Sequence, residues 1–112
     1  MSRDSARLLD ILNAARSVIE LTDGMTGCDF QQDLRTELAV TRLFEIVGEA
    51  ARLISNDLKR DHPEIPWGRM AGLRHRLIHE YDKVDYDLVW KIIQRDVPEL
   101  IGLLEPLVPP ED

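Results

Sequence analysis

Val40-Thr-Arg-Leu-Phe-Glu-Ile-Val-Gly-Glu-Ala-Ala-Arg-Leu-Ile-Ser-Asn-Asp-Leu58 is the stretch whose reading decides the fold. Within it Val40, Leu43, Phe44, Val47, Ala50, Ala51, Ile54 and Leu58 recur at intervals of three and four, the broad apolar stripe of a helix lying on a core. The pattern predicts one long helix from Gln31 or Asp33 to Leu58. A different face carries Thr41, Glu45, Gly48 and Arg52. Glycine in mid-helix costs about 1 kcal/mol relative to alanine, so the missing side chain at Gly48 serves a purpose. Either a neighbouring helix packs closely there, or Gly48, with Glu45 and Glu49, lines a cleft or a subunit interface.

Working outward, Leu8, Ile11, Leu12, Ala15, Val18 and Ile19 predict a first helix over about Asp4–Leu21. It ends at Thr22-Asp-Gly24, and a functionally silent loop runs through Gly27, with Cys28 incidental beside it. Downstream, Lys59-Arg-Asp-His-Pro-Glu-Ile-Pro66 reads as a turn, because two prolines within four residues cannot continue a helix. Pro66 suits the first turn of a third helix, in which Met70, Leu73 and Leu77 face the core. Gly68, Gly72, His75 and His79 follow at spacings of four, three and four on another face, leaving room for a neighbouring backbone or a substrate.

Asp85 caps a fourth helix whose stripe is Tyr86, Val89, Trp90, Ile93, Val97, Leu100, Ile101 and Leu104. Pro98 interrupts it. Asp96-Val-Pro-Glu99 has the form of a fresh capping box, which predicts a kink or break and a short fifth helix. Pro106 and Pro109-Pro110 end the structured part, and Glu111-Asp112 form a loose acidic tail. The expectation is all-α: an antiparallel four-helix bundle with a short or kinked fifth helix, as one domain over 1–112 with its core at about 4–106.

The chain has 112 residues and a formal net charge of -7. That size supports one core but leaves apolar surface that a second copy could cover. The lone cysteine cannot form an internal disulfide, which fits a reducing compartment. Arg3, Asp4, Arg7, Asp10 and Arg16 make the N-terminus neither a signal peptide nor a membrane span, so no membrane partner is expected and the cytoplasm is the default location. An acidic molecule is a poor broad binder of nucleic acid, whose affinity comes from many phosphate contacts. A focused anion site remains compatible with it.

The candidate for that site is Met70-Ala-Gly-Leu-Arg-His-Arg-Leu-Ile-His-Glu-Tyr81. From Ile65 to His79 no acidic residue occurs. Between Arg52 and His79 the six cations at 52, 59, 60, 69, 74 and 76 face three acids at 57, 61 and 64. Arg74 is planar and permanently charged, able to hold a phosphate through two parallel hydrogen bonds, or else to form a surface ion pair. Histidine titrates near pH 6.5, so His79 can serve as acid or base, or it is a packed or solvated residue. Tyr81 falls four residues after Leu77, on the core stripe, which would make it half-buried. His75 and His79 have the spacing of a metal pair, but no third ligand is indicated; neither metal nor cofactor is expected.

The spacing of Arg74, His79 and Tyr81, with polar His75 after the arginine, resembles the signature of the HEPN superfamily, and the His-x-Tyr ending is similar to the HepT-type toxin ribonucleases. The resemblance extends over about residues 35–105, through Phe44–Arg52, Val84–Trp90 and Asp96–Leu100. It implies a dimer with the motif at the subunit boundary and a metal-independent endoribonuclease toxin acting on RNA, either transfer or messenger. Arg74 and His79 would be catalytic, with His75, Arg76, Glu45 and Glu49 in support. It also implies a partner, an MntA-type nucleotidyltransferase antitoxin that adds AMP to Tyr81. Geometry points the same way. At 100° per residue Arg74 and His79 stand about 140° apart on a regular helix, so a two-fold homodimer is the simpler way to bring both to one groove. The alternative is a non-catalytic module that binds a nucleotide or other substrate for a separate nucleotidyltransferase.

Overall fold

The computed structural model describes residues 2–109, and among them it contains helices and turns but no strand. The α-helices are α1 (Arg3–Thr22), α2 (Gly27–Gln32), α3 (Leu34–Leu53), α4 (Asn56–Asp61), α5 (Trp67–His79), α6 (Tyr86–Lys91) and α7 (Val97–Leu104). Four rods carry the architecture: α1, α3, α5, and α6 continued into α7.

Two clusters of buried side chains show how the rods run. One joins Leu8, Ile11 and Leu12 of α1 to Val47, Ala50 and Ala51 of α3, Trp67 and Met70 of α5, and Leu100 and Leu104 of α7. The other joins Ala15 and Val18 to Val40 and Phe44, Leu77, and Val89, Ile93 and Val97. Each end of the core thus takes the beginning of one rod and the finish of the next, which makes the bundle antiparallel, as the apolar stripes predict. The start of α1 is tied to the end of α3 by Asp4, whose carboxylate accepts from the Ser55 backbone N–H at 2.9 Å and from its hydroxyl.

The boundaries differ from the sequence pattern in several places: residues 59–61, read as the start of a turn, belong to α4, and three further differences each have a local reason. The helix expected to run to Leu58 stops at Leu53, because Ile54 turns extended (φ -63, ψ 142) and Ser55 caps α4 by accepting the Leu58 N–H. A serine that can satisfy an orphan helical N–H starts a new helix more readily than it continues an old one. The segment read as a loop through Gly27 contains α2, opened by a reciprocal capping box between Thr26 and Asp29. This turn delivers Phe30 fully buried, stacked on Trp90 at 5.4 Å and edge-on to Tyr86 at 6.2 Å. Finally, Asp96 makes no capping bond and keeps helical angles (φ -82, ψ -37). Of the kink or break expected here the chain takes the kink, a π-turn over Ile92–Asp96 closed by the Val97 N–H on the Ile92 carbonyl, and the short helix α7 follows it. Proline's ring collides with the carbonyl four residues back, and the wider turn just before Pro98 absorbs that conflict. Pro106 lies in a last 3-10 turn over Glu105–Leu107, and the tail Glu111-Asp112 lies outside the described residues.

Gly48 settles between its two readings in favour of close packing. A Cβ there would fall 2.6 Å from the Met70 carbonyl oxygen and against the Arg74 Cβ, so the backbones of α3 and α5 meet at this point. Gly48→Ala gains up to about 1 kcal/mol in helix propensity but forces the two helices apart, at a cost of about 1–3 kcal/mol for overpacking, with more where backbone must move. Urea denaturation should show a net loss of stability, and an unchanged midpoint would refute the close approach.

Candidate active site

Because α5 is pressed on α3 at Gly48, its residues are distributed around a fixed axis. Arg74 projects to the side shared with α3 and α1, where Glu49, the next residue after Gly48, meets it: Arg74 Nε lies 3.1 Å from Glu49 Oε2. Arg52 holds the same carboxylate from one turn further along, through Nη2 at 2.8 Å and Nε at 3.3 Å. Glu49 is therefore shared by two guanidiniums. The Arg52 hydrogen bonds keep its carboxyl below the usual glutamate range, helped by the charges of Arg52, Arg74 and Arg7 and opposed by partial desolvation. The same contact raises Arg52. Arg74 remains about one-third exposed.

Around this pair the three helices enclose a groove of about 200 Å³, to which α1 contributes Arg7 and Asp10, α3 contributes Arg42 and Glu45, and α5 contributes Arg74 and Ile78. His79 does not line it. With His75 it occupies a different side of α5, and the two exposed imidazoles sit 4.4 Å apart between ring centroids. Gly68 and Gly72, which precede them on this face, would carry a Cβ into open space. The result is an exposed ridge ending in two imidazoles, with Gly72 also bordering a groove between α5 and the last rod. No group of three or more His, Cys, Asp or Glu poised to hold a metal is found among the described residues.

Tyr81 is 78% exposed, contrary to the half-buried position that its spacing from Leu77 suggests. The reason is local: α5 ends at His79, Glu80 leaves helical geometry (φ -120, ψ 37), and Tyr81 begins a 3-10 turn. Arg76 is separated from Arg74. It pairs with Glu80 at 3.8 Å and lines an apolar groove of about 520 Å³ between α5 and the last rod, together with Leu73, Leu88, Ile92 and Leu100. The cation-rich run of the sequence is thus not one patch, since Arg69 and Arg76 face that cavity and Arg74 faces another.

The structure brings Arg74, Glu45 and Glu49 together, and His75 with His79, but among the described residues the groove around Arg74 includes neither histidine. Arg7 and Arg42 were not legible as site residues. Arg42 shares the α3 face of Glu45 and Glu49 at spacings of three and four, a weak signal; nothing local marks Arg7, which reaches the groove only through the packing of α1 on α3.

Comparison with known proteins decides the family. Residues 11–107 match the family model described as ribonuclease HepT-like. The chain belongs to the HepT-like ribonuclease family. Membership carries with it the enzyme class, an endoribonuclease. A protein of Thermococcus cleftensis provisionally named ribonuclease HepT is 46% identical over 100 residues, 89% of this chain and 91% of its own. A Methanocaldococcus jannaschii protein provisionally named an RNase is 45% identical over 95 residues, 85% and 87% of the two chains. Another from that organism is 37% identical over 103 residues, 92% and 85%. No solved structure matches. No helix among the described residues of this HepT-like chain is long and apolar enough to cross a membrane.

The depressed Glu49 carboxyl has a pH signature. Its contribution to stability is fully present above the ordinary glutamate value of about 4.5 and is lost as pH falls through the lower folded value. Thermal melts from pH 6 to 2.5 should show a difference between wild type and Glu49→Gln that shrinks below about pH 4.5. A difference that persists at the acid end would mean that the ion pairs are not its source.

Proposed function

We propose that this HepT-like chain is a metal-independent toxin endoribonuclease, active as a homodimer, in which Arg74 and His79 act on one phosphate and Tyr81 is the site of silencing by AMP transfer. The observation that carries the reading is the ridge of α5. It presents the His75–His79 pair to solvent beyond two open glycines, while Arg74 reaches a separate groove around the same helix. Two copies related by a two-fold axis along this ridge would set the imidazoles of both chains at a common boundary within reach of a partner's arginine.

In that arrangement a neutral His79 takes the proton from the ribose 2′-hydroxyl, whose oxygen attacks phosphorus. The bond from phosphorus to the 5′-oxygen breaks, and a protonated imidazole from the other chain gives its proton to the leaving oxygen. The products are a cyclic phosphate and a 5′-hydroxyl. Arg74 stabilises the charge that grows on the non-bridging oxygens. Glu49 keeps Arg74 oriented through Nε without adding to the net negative charge, because Arg52 shares it. His75, its ring tilted at 42° to that of His79, restricts the orientation of that ring. Arg76 serves at most in binding, since it is directed to the other cavity, while Glu45 lines the groove of Arg74.

Purified wild type should cut single-stranded RNA, and His79→Ala should lower kcat by about 10²–10⁴-fold, the usual worth of a positioned acid or base. Arg74→Ala should cost about 10²–10³-fold. Arg74→Lys should recover only part of this, for lack of the bidentate fork. Expression of the wild type alone should arrest growth, and expression of His79→Ala should not. Intact RNA with wild-type dimer and equally harmless expression of both forms would instead favour a binding module that serves a separate nucleotidyltransferase.

The silencing step fits the exposed phenol. Tyr81 Oη attacks the α-phosphorus of ATP, pyrophosphate leaves, and the phenol proton passes to a base of the partner nucleotidyltransferase, an MntA-type antitoxin. Co-expression with that enzyme should add AMP to Tyr81, detected by mass spectrometry, and Tyr81→Phe should remain unmodified and active. An unmodified Tyr81 in a neutralised complex would show inhibition by contact instead.

A further inference from the structure

Four of the six cations in the Arg52–His79 run are already engaged: Arg52 and Arg74 with Glu49, Arg60 with Asp57, and Arg76 with Glu80. The free positive charge near Arg74 comes from elsewhere. Arg7 and Arg42 have no carboxylate within 4 Å among the described residues, and Arg7 is the one arginine there that is neither exposed nor ion-paired. Arg7 is partly buried and has only the longer-range charge of Glu49 to balance it, so an anion in direct contact would offset its desolvation cost. Both arginines line the groove that contains Arg74, and Ile46, Ala50 and Ile78 give it an apolar floor. The groove also holds Asp10, Glu45 and Glu49. Glu49 is absorbed by its two arginines, while Asp10 and Glu45 lie one turn from Arg7 and Arg42 on their own helices without pairing to them.

We infer that the groove between α1, α3 and α5 is a second phosphate subsite, in which Arg7 and Arg42 hold the phosphodiester next to the one engaged by Arg74. This inference rests on the reading of the protein as a ribonuclease. The volume of about 200 Å³ is smaller than ordinary cofactor pockets of about 300–1,000 Å³, and it suits one phosphate with its ribose against the apolar floor. Planar guanidiniums are suited to holding phosphate oxygens in pairs. The two nearby carboxylates repel a polyanion everywhere except at the arginine forks, so the subsite sets the register of a strand and does not bind nucleic acid broadly.

The test uses the full chain with His79→Ala, so that RNA binds without being cut, and follows the affinity for a fluorescently labelled single-stranded octanucleotide as salt is raised. Each phosphate contact contributes about 0.7 to the slope of log K against log salt for single strands. Adding Arg7→Gln and Arg42→Gln should weaken binding and flatten that slope by about 0.7. Arg42→Gln alone, at an exposed position where folding is not at stake, should move both in the same direction. With His79 restored, the double variant should show a raised KM and a retained kcat. An unchanged slope, or a fall in kcat at constant KM, would overturn the subsite. So would weakened binding of 5′-AMP with RNA affinity unmoved, which would make the groove a mononucleotide site. Failure of the catalytic reading gives a different result, because wild type would then leave RNA intact while the slope change persisted.

Discussion

The contact on which the site depends is the one between two backbones, at Gly48 of α3 and the Met70–Arg74 turn of α5. A side chain at position 48 would hold the helices apart, and every distance on that side of the molecule would lengthen. With none, α5 is seated so that Leu77 and Met70 enter the two ends of the core and Arg74 emerges beside Glu49. Seating α5 by one side also decides what the opposite side can be. Gly68, Gly72, His75 and His79 are turned outward because the helix has no freedom to roll. Packing therefore precedes chemistry here: the arginine and the histidines occupy different sides of one rigid rod, and any reaction that needs both must recruit a second rod.

Charge explains how an acidic chain can take an anionic substrate. The acid-free run from Ile65 to His79 is acid-free only in sequence, since α3 places Glu45 and Glu49 across from it. Glu49 divides its charge between Arg52 and Arg74, leaving that triad with one net positive charge at the groove. Arg7 and Arg42 add theirs from outside the run, and Asp10 and Glu45, which line the same groove, offset them. Attraction at the groove thus depends on how its guanidiniums are directed and not on a large excess of positive charge, which trades non-specific affinity for register.

How much of this was legible beforehand varied with the range of the interaction. The four rods, their order and their core faces follow from stripes of apolar residues within single helices, and the helical spacing of Val40, Phe44 and Val47 needs no tertiary knowledge. Asp85 as a cap and Gly48 as a packing position are equally local. Helix ends fared worse where two local signals competed. Ser55 could continue a stripe or cap a new helix, and only its bonds with Asp4 favour the cap. At Pro98 a capping box and a π-turn were both open to the chain, and unbroken packing of Ile93 and Val97 on the core selects the second. Phe30 and Arg7 were not readable at all. The first stands in a six-residue helix too short to show a stripe, and the second owes its place to contacts between helices far apart in sequence.

The end of α5 links the proposed chemistry to its proposed control. Had the helix run one turn further, Tyr81 would have lain one turn beyond Leu77 on the core side, and a modifying enzyme could not reach it without unfolding that end of the bundle. Glu80 leaves helical geometry instead, its backbone N–H closing the last turn on the Arg76 carbonyl at 2.8 Å, and Tyr81 lies in solvent two residues from His79. A group added to the phenol then stands at the mouth of the surface where the imidazoles are presented, with a phosphodiester charge like that of the substrate. Inhibition on this reading needs no conformational change in the bundle. It requires only that the helix stop where it does, so that the residue to be blocked and the residue to be modified share one exposed edge while both remain outside the core that holds the fold.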